Sequence, residues 1–360
     1  MTINNAMGTT QDVLMPYPLI HITDLYHPPQ DPDDHIDLAT VVALPEFELK
    51  AVILDVTRRF LDGSPGKDVP RDPGFLPVVQ LGYLTGRAIP VAVGPPDPLT
   101  SQNDDVRNRP AREQAGIELL MEVLRSSSEP VLISVVGSAR VLAAAFNRAP
   151  SLLKEKTRAV ILNAGATSLH KEWNVQLDPA AYRAVWRSGL PIDWYPCASD
   201  KGGFDTQHPH STCWQTDQRK LFDNLPEPLA GWFCHAFSGS MRGDIIRALK
   251  EQGHGAVWEH ILSAKRTMWA TASLILGAGR KLIHTSNGWR FSPSAGSPGG
   301  GSIPMELIPI EATVTDENEV EWGKTEEASK YRIFQREPGG EHATAMAEAL
   351  NALLRTIDTR

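Results

Sequence analysis

The run VLISVV at 131–136, closed by Gly137, constrains this chain more than any other segment. It is too short for a buried helix and too apolar for a strand with one wet face. It therefore predicts a strand covered on both sides, the environment of a parallel sheet. Parallel neighbours need long crossover connections, usually helical. The chain supplies them. Strand-like runs at 19–24, 49–56, 89–93, 131–136, 158–163 and 191–196 alternate with helix-like segments at 36–44, 77–84, 112–125, from 141, and 179–188. In 112–125 the apolar residues Ile117, Leu120, Met121 and Leu124 keep a helical period. This rhythm predicts an α/β fold with a mostly parallel open sheet flanked by helices.

The second half is less regular. Residues 200–215 are rich in Gly, His, Ser and Thr and read as a long loop. Three helices are expected within 221–280. Residues 285–303 are Gly/Ser/Pro-rich, and within them 294–302 is either a lid over a site or a passive surface loop. A strand at 306–314 and a final helix at 341–357 close the chain. No repeat or linker divides the sequence, so 1–360 is expected to be one domain with a C-terminal helical insertion.

The segment from Thr23 to Leu49 carries the chemistry. Asp24, Asp31, Asp33, Asp34 and Asp37 fall within fourteen residues, after one expected strand and around the start of a helix. Open α/β sheets bind ligands at the C-terminal ends of their strands. Five carboxylates side by side repel one another, and a hard cation relieves that repulsion. Oxygen-only donors favour Ca²⁺ or Mg²⁺ over zinc. The alternative is that Asp33 or Asp34 simply caps the helix.

Composition narrows the choices. A net charge of −8 argues against a nucleic-acid binder that works through phosphate contacts. The three cysteines (Cys197, Cys213, Cys234) are odd in number and lack CxxC spacing, so neither a disulfide frame nor a zinc knuckle is expected. No apolar run reaches membrane-spanning length and the first residues lack a signal-peptide pattern, so a cytoplasmic protein with no membrane partner is expected. Gly-x-Ser-x-Gly does not occur. Gly277-Ala278-Gly279 follows a helix, not a strand, which argues against a dinucleotide site.

Four motifs in order resemble the inosine–uridine-preferring nucleoside hydrolase superfamily. They are Asp33-Asp34 followed by a helix and Pro45-Glu46-Phe47-Glu48-Leu49; LISVVGSARVL at 132–142; Glu172-Trp173-Asn174 with Asp178-Pro179-Ala180-Ala181 and Ser188-Gly189-Leu190-Pro191-Ile192; and a C-terminal helix, exposed strand pair and final helix after Arg336. The third block is the most specific. The resemblance implies a Rossmann-like core and water-driven cleavage of ribonucleoside N-glycosidic bonds. It also implies a Ca²⁺ ion that holds the attacking water and the ribose hydroxyls, and assembly as a homodimer or homotetramer. On matching positions, Asp34 becomes a metal ligand and Asp33 a ribose-hydroxyl partner with a catalytic part. Val136 offers its backbone carbonyl to the metal. Glu172 and Asn174 face the sugar. Either Asp24 or Asp31 supplies the base and the further metal ligand, with Asp24 the better match by its place after the strand. Trp173 and Trp269 are candidates for stacking on a purine, the alternative being ordinary core or rim packing among nine tryptophans.

The chain also departs from the family. Ala270 stands where the family's last metal-binding Asp is expected, Val56-Thr57-Arg58 replaces an Asn after the second strand, and Asn163-Ala164-Gly165 shortens a Gly/Asn loop. Asp31, Asp37, His27 or His35 could rebuild the site from the other side. Two functions stay open: a divergent metal-dependent glycosidase acting on a nucleoside or another small glycoside, and a sugar- or nucleoside-binding protein that kept the fold without turnover.

Overall fold

The computed structural model describes residues 16–63, 70–169, 171–251, 253–293 and 301–360. The first six strands are β1 (Tyr17–Thr23), β2 (Phe47–Leu54), β3 (Val91–Val93), β4 (Val131–Val136), β5 (Thr157–Asn163) and β6 (Ile192–Trp194). Then come β7 (Trp214–Asp217), β8 (Lys265–Met268), β9 (Arg280–Thr285), β10 (Gly288–Pro293), β11 (Ser302–Ile303), β12 (Met305–Val314), β13 (Val320–Lys324) and β14 (Tyr331–Arg336). Nine of them form one open sheet in the order β13-β12-β14-β6-β5-β4-β1-β2-β3. From β3 to β14 every neighbouring pair is parallel; only β12 and β13 add antiparallel edges.

The alternation of side chains across the sheet explains why β1 and β4 carry apolar residues toward both faces. Leu19 and Leu132 point into one layer, while Ile20, Ile22, Ile133 and Val135 point into the other. Each such buried side chain contributes about 1.5–3 kcal/mol. The helices Ala115–Ser126, Arg140–Arg148 and Pro179–Arg187 supply residues to one layer, and Asp33–Ala43, Glu227–Phe237, Thr271–Gly277 and Gly340–Leu354 to the other.

Strand order reverses between β1 and β4. From β1 the chain builds outward through β2 and β3; from β4 it builds the other way through β5 and β6. A crevice opens where connections diverge in this way, at the carboxyl ends of the two strands.

Three expectations need correction. The first helix begins at Asp33, not Ile36, with Pro32 at its N-cap and no side-chain cap. Asp33 and Asp34 thus lie inside its first turn and neither serves as the cap. The insertion holds more than three helices: Gln218–Phe222, Glu227–Phe237, Ile245–Glu251, Gly255–Leu262 and Thr271–Gly277, with β8 pairing back to β7. Residues 285–293 pair as a β9–β10 hairpin; the segment 294–300 of the expected lid lies outside the described residues.

Candidate active site

The crevice beside β1 and β4 holds a cavity of about 410 Å³. Asp24, Asp31, Asp33, Asp34, Val136, Glu172, Trp173, Asn174, Trp269 and Ala270 all line it. Asp24 leaves the end of β1. Asp33 and Asp34 are carried by the first helical turn, where the helix dipole favours negative charge. Thr23 Oγ1 donates to Asp34 Oδ1 at 3.5 Å. His27, His35 and Asp37 are absent from the lining. His27 stacks on His235 with ring centroids 5.0 Å apart, His35 packs against Trp232 and Phe237, and Asp37 accepts from Thr271 Oγ1 at 3.4 Å. These three face the helical insertion rather than the cavity, so they do not rebuild the site.

Burial governs the protonation of the acids. It pushes Asp24 well above the ordinary carboxylate range, and the charge of Asp55 adds to the rise. Asp33 and Asp34 are raised for the same first reason, followed by the charges of Asp31 and Asp24 respectively. A buried carboxylate needs a positive partner or a proton.

Asp55 was not singled out from sequence. It follows β2, and its two oxygens accept from Ser138 Oγ at 2.8 Å and Ser138 N at 2.7 Å. Gly137 between Ser138 and β4 has φ +109, and a Cβ there would lie 2.9 Å from Asp55 Oδ2 and 3.1 Å from Asp24 Oδ1. Only glycine allows both carboxylates so close to the end of β4. Burial lifts Asp55 to about 6, opposed by Arg140 and by Ser138.

The opposite wall comes from β5 and the segment after it. Glu172 is a buried N-cap rather than a solvated acid. Its Oε1 accepts from Asn174 N at 2.9 Å, and its Oε2 from Gly165 N at 2.8 Å and Val175 N at 3.0 Å. Those three bonds fix its position in the wall. Asn174 Nδ2 donates to the Asn163 carbonyl at 3.0 Å. Asn163 also lines the cavity; its Nδ2 donates to Val135 O at 3.2 Å, while its buried Oδ1 has no partner among the described residues. Sequence reasoning read position 163 only as part of a shortened loop.

Aromatic rings form the rim. Trp173 is 44% exposed and Phe204 74%. Trp269 meets Phe204 edge-on with centroids 5.5 Å apart, and its Nε1 donates to Gly203 O at 2.8 Å. Exposed rings on separate segments at one mouth suit a flat apolar group.

In kind, the residues expected to hold a hard cation suit it: Asp24 and Asp34 line the cavity with carboxylate oxygens, and Val136 lines it beside them. They fall short in number. Ala270 provides no carboxylate, and among the described residues no three His, Cys, Asp or Glu side chains are gathered as a metal site.

Comparison with known proteins accounts for this architecture. The family described as inosine-uridine preferring nucleoside hydrolase matches residues 69–258. The pyrimidine-specific ribonucleoside hydrolase RihA of Enterobacter sp. (strain 638) is 33% identical over 181 residues, covering 44% of this chain and 55% of that protein. RihA of Salmonella enteritidis PT4 is 32% identical over the same length and shares. The chain thus spans about half the length of the curated relatives it matches. Two solved structures share the fold: a purine-preferring ribonucleoside hydrolase from Gardnerella vaginalis (TM-score 0.57, 14% identity, 94% of this chain and 99% of that one) and the plant nucleoside hydrolase PpNRh1 (TM-score 0.52, 13% identity, 95% and 99%). The family match starts after the acidic loop and stops before Ala270. With the sheet order, the walls of the cavity and a match over more than half its length, the chain belongs to the inosine-uridine preferring nucleoside hydrolase family.

Proposed function

We propose that this chain hydrolyses the N-glycosidic bond of ribonucleosides, with a purine as the leaving group. The observation that carries the reading is the shared cavity, in which Asp24, Asp33 and Asp34 face Glu172 and Asn174 beneath an aromatic rim. Asp24 takes a proton from water as the water attacks C1′ of the sugar. Asp33 accepts a ribose hydroxyl. The carboxylates stabilise positive charge as the ring approaches an oxocarbenium ion. Asn174, tied to the Asn163 carbonyl, donates toward the sugar from the other wall. Trp173 and Trp269 stack on the base, which favours its departure as a protonated species.

Calcium would enter this reading only with solvent or substrate oxygens making up the donors that the described residues lack. Asp24, Asp34 and the Val136 carbonyl would hold it, with Asp31 as a further donor. When bound, the ion would supply Lewis acidity that lowers the pKa of a water beside it. Ala270 favours a second reading, a binding protein that keeps the sugar pocket without turnover.

The test is release of free sugar from a panel of purine and pyrimidine nucleosides, with calcium and with a chelator. Release from purine nucleosides that the chelator abolishes is expected. No release under either condition, together with measurable nucleoside binding, would establish the second reading.

A further inference from the structure

Arg266 brings a fixed cation to the acidic loop from a strand that the family match does not reach. It lies on β8, four residues before Ala270, and its side chain is only 18% exposed. Its Nε and Nη2 donate to Gln218 Oε1 at 3.1 and 3.0 Å, and Gln218 in turn donates to the Ile261 carbonyl. The Phe237 ring lies 5.6 Å from the guanidinium carbon. These contacts leave Nη1 directed at the loop, 3.6 Å from Asp31 Oδ1. Asp31 and Asp33, both in the cavity wall, are the charges that favour the guanidinium's ionised form against its burial.

A neighbouring position makes this placement informative. An acid at 270 would add one negative charge to the cavity; alanine adds none, and Arg266 adds one positive charge. The local balance is therefore two units more positive than in a cavity with an acid at 270 and no arginine at 266. A guanidinium anchored by a glutamine and an aromatic ring cannot swing away when another cation enters, because its position is set by contacts outside the cavity.

We propose that Arg266 is a built-in counter-ion of the acidic loop, a positioning residue that pairs with Asp31 and competes with a divalent cation for that carboxylate. The inference rests on the reading of this cavity as a cation-assisted sugar site.

The test is calorimetric titration of calcium chloride into the wild-type chain, Arg266→Gln and Arg266→Lys. Removing a fixed unit charge beside a partly buried site is expected to tighten calcium binding at least about tenfold in Arg266→Gln. Arg266→Lys keeps the charge and should stay within about threefold of wild type. Calcium binding that is equal or weaker in Arg266→Gln overturns the proposal. If neither protein binds calcium, the cation reading of the cavity fails by itself. The counter-ion role is then decided by a thermal double-mutant cycle of Arg266→Gln with Asp31→Asn: midpoint losses that are smaller in combination than in sum support it, and additive losses overturn it.

Discussion

Arg140 and Asp178 form an enclosed ion pair behind the cavity: Arg140 Nε donates to Asp178 Oδ2 at 2.9 Å, with side chains 1% and 0% exposed. Arg140 also donates to the carbonyls of Val56, Pro95 and Leu177, and Asp178 accepts from Leu99 N and Ala181 N. One pair thus ties the segment after β2, the loop after β3 and the start of the Pro179–Arg187 helix together. Removing one member leaves a buried charge unpaired. Asp178→Ala is expected to lower unfolding free energy by about 3–5 kcal/mol in urea denaturation. A loss under about 1 kcal/mol would show that water or another group replaces the carboxylate.

Asp37 makes the fold sensitive to pH. It is fully buried, Oδ2 has no partner among the described residues, and burial pushes its pKa from 3.8 to about 8 against the Thr271 hydrogen bond. The unfolded chain gives up this proton near pH 4, the folded chain only near pH 8. The folded state therefore binds the extra proton between those values, and stability falls as pH rises through that window. Asp37→Asn should remove its own part of the dependence, leaving that of the other buried acids. Its melting midpoint should exceed that of the wild type by more at pH 8.5 than at pH 5, and an equal gain at both would refute the assignment.

The fold was legible because strands buried on both faces leave uninterrupted apolar runs, as in 131–136, and because Asp33-Asp34 and Glu172-Trp173-Asn174 are contiguous in sequence. The supporting groups were not. Asp55 meets Ser138 across 83 positions, and Arg140 meets Asp178 across 38. No local pattern marks either pair, since each is made by strand order rather than by spacing. Residues 285–293 misled for another reason. Their Gly, Ser and Pro content suits a loop, yet Trp289 and Phe291 are buried and hold the hairpin against the core. Packing of two large rings outweighs a weak local preference.

Trp269 should discriminate among bases. Its indole is fixed by the Gly203 carbonyl and by the edge of Phe204. A ring contact of this kind contributes about 0.5–1.5 kcal/mol beyond buried area. Trp269→Ala is expected to weaken binding of purine nucleosides by about threefold to tenfold, and that of pyrimidine nucleosides less, because a bicyclic base offers the larger face. Equal losses for both, measured by fluorescence titration, would assign Trp269 to the shape of the rim instead of to the base.

Asn163 offers the sharpest test of the sugar wall. Its Nδ2 is held by Val135 O, which fixes the amide so that Oδ1 is an acceptor, and that oxygen is buried without a partner among the described residues. An unsatisfied buried acceptor costs about 1–3 kcal/mol, a penalty that a ligand hydroxyl relieves on binding. Asn163→Leu keeps the volume and removes the acceptor. It should weaken a ribonucleoside by about tenfold to a hundredfold. It should leave unchanged the affinity for whichever of the 2′-, 3′- or 5′-deoxy analogues lacks the hydroxyl that Oδ1 accepts from. Binding of the four ligands to both proteins by calorimetry identifies that hydroxyl directly. If every analogue loses affinity to the same extent as the ribonucleoside, Asn163 acts on the wall through Asn174, and the unpartnered oxygen has no part in recognising the sugar.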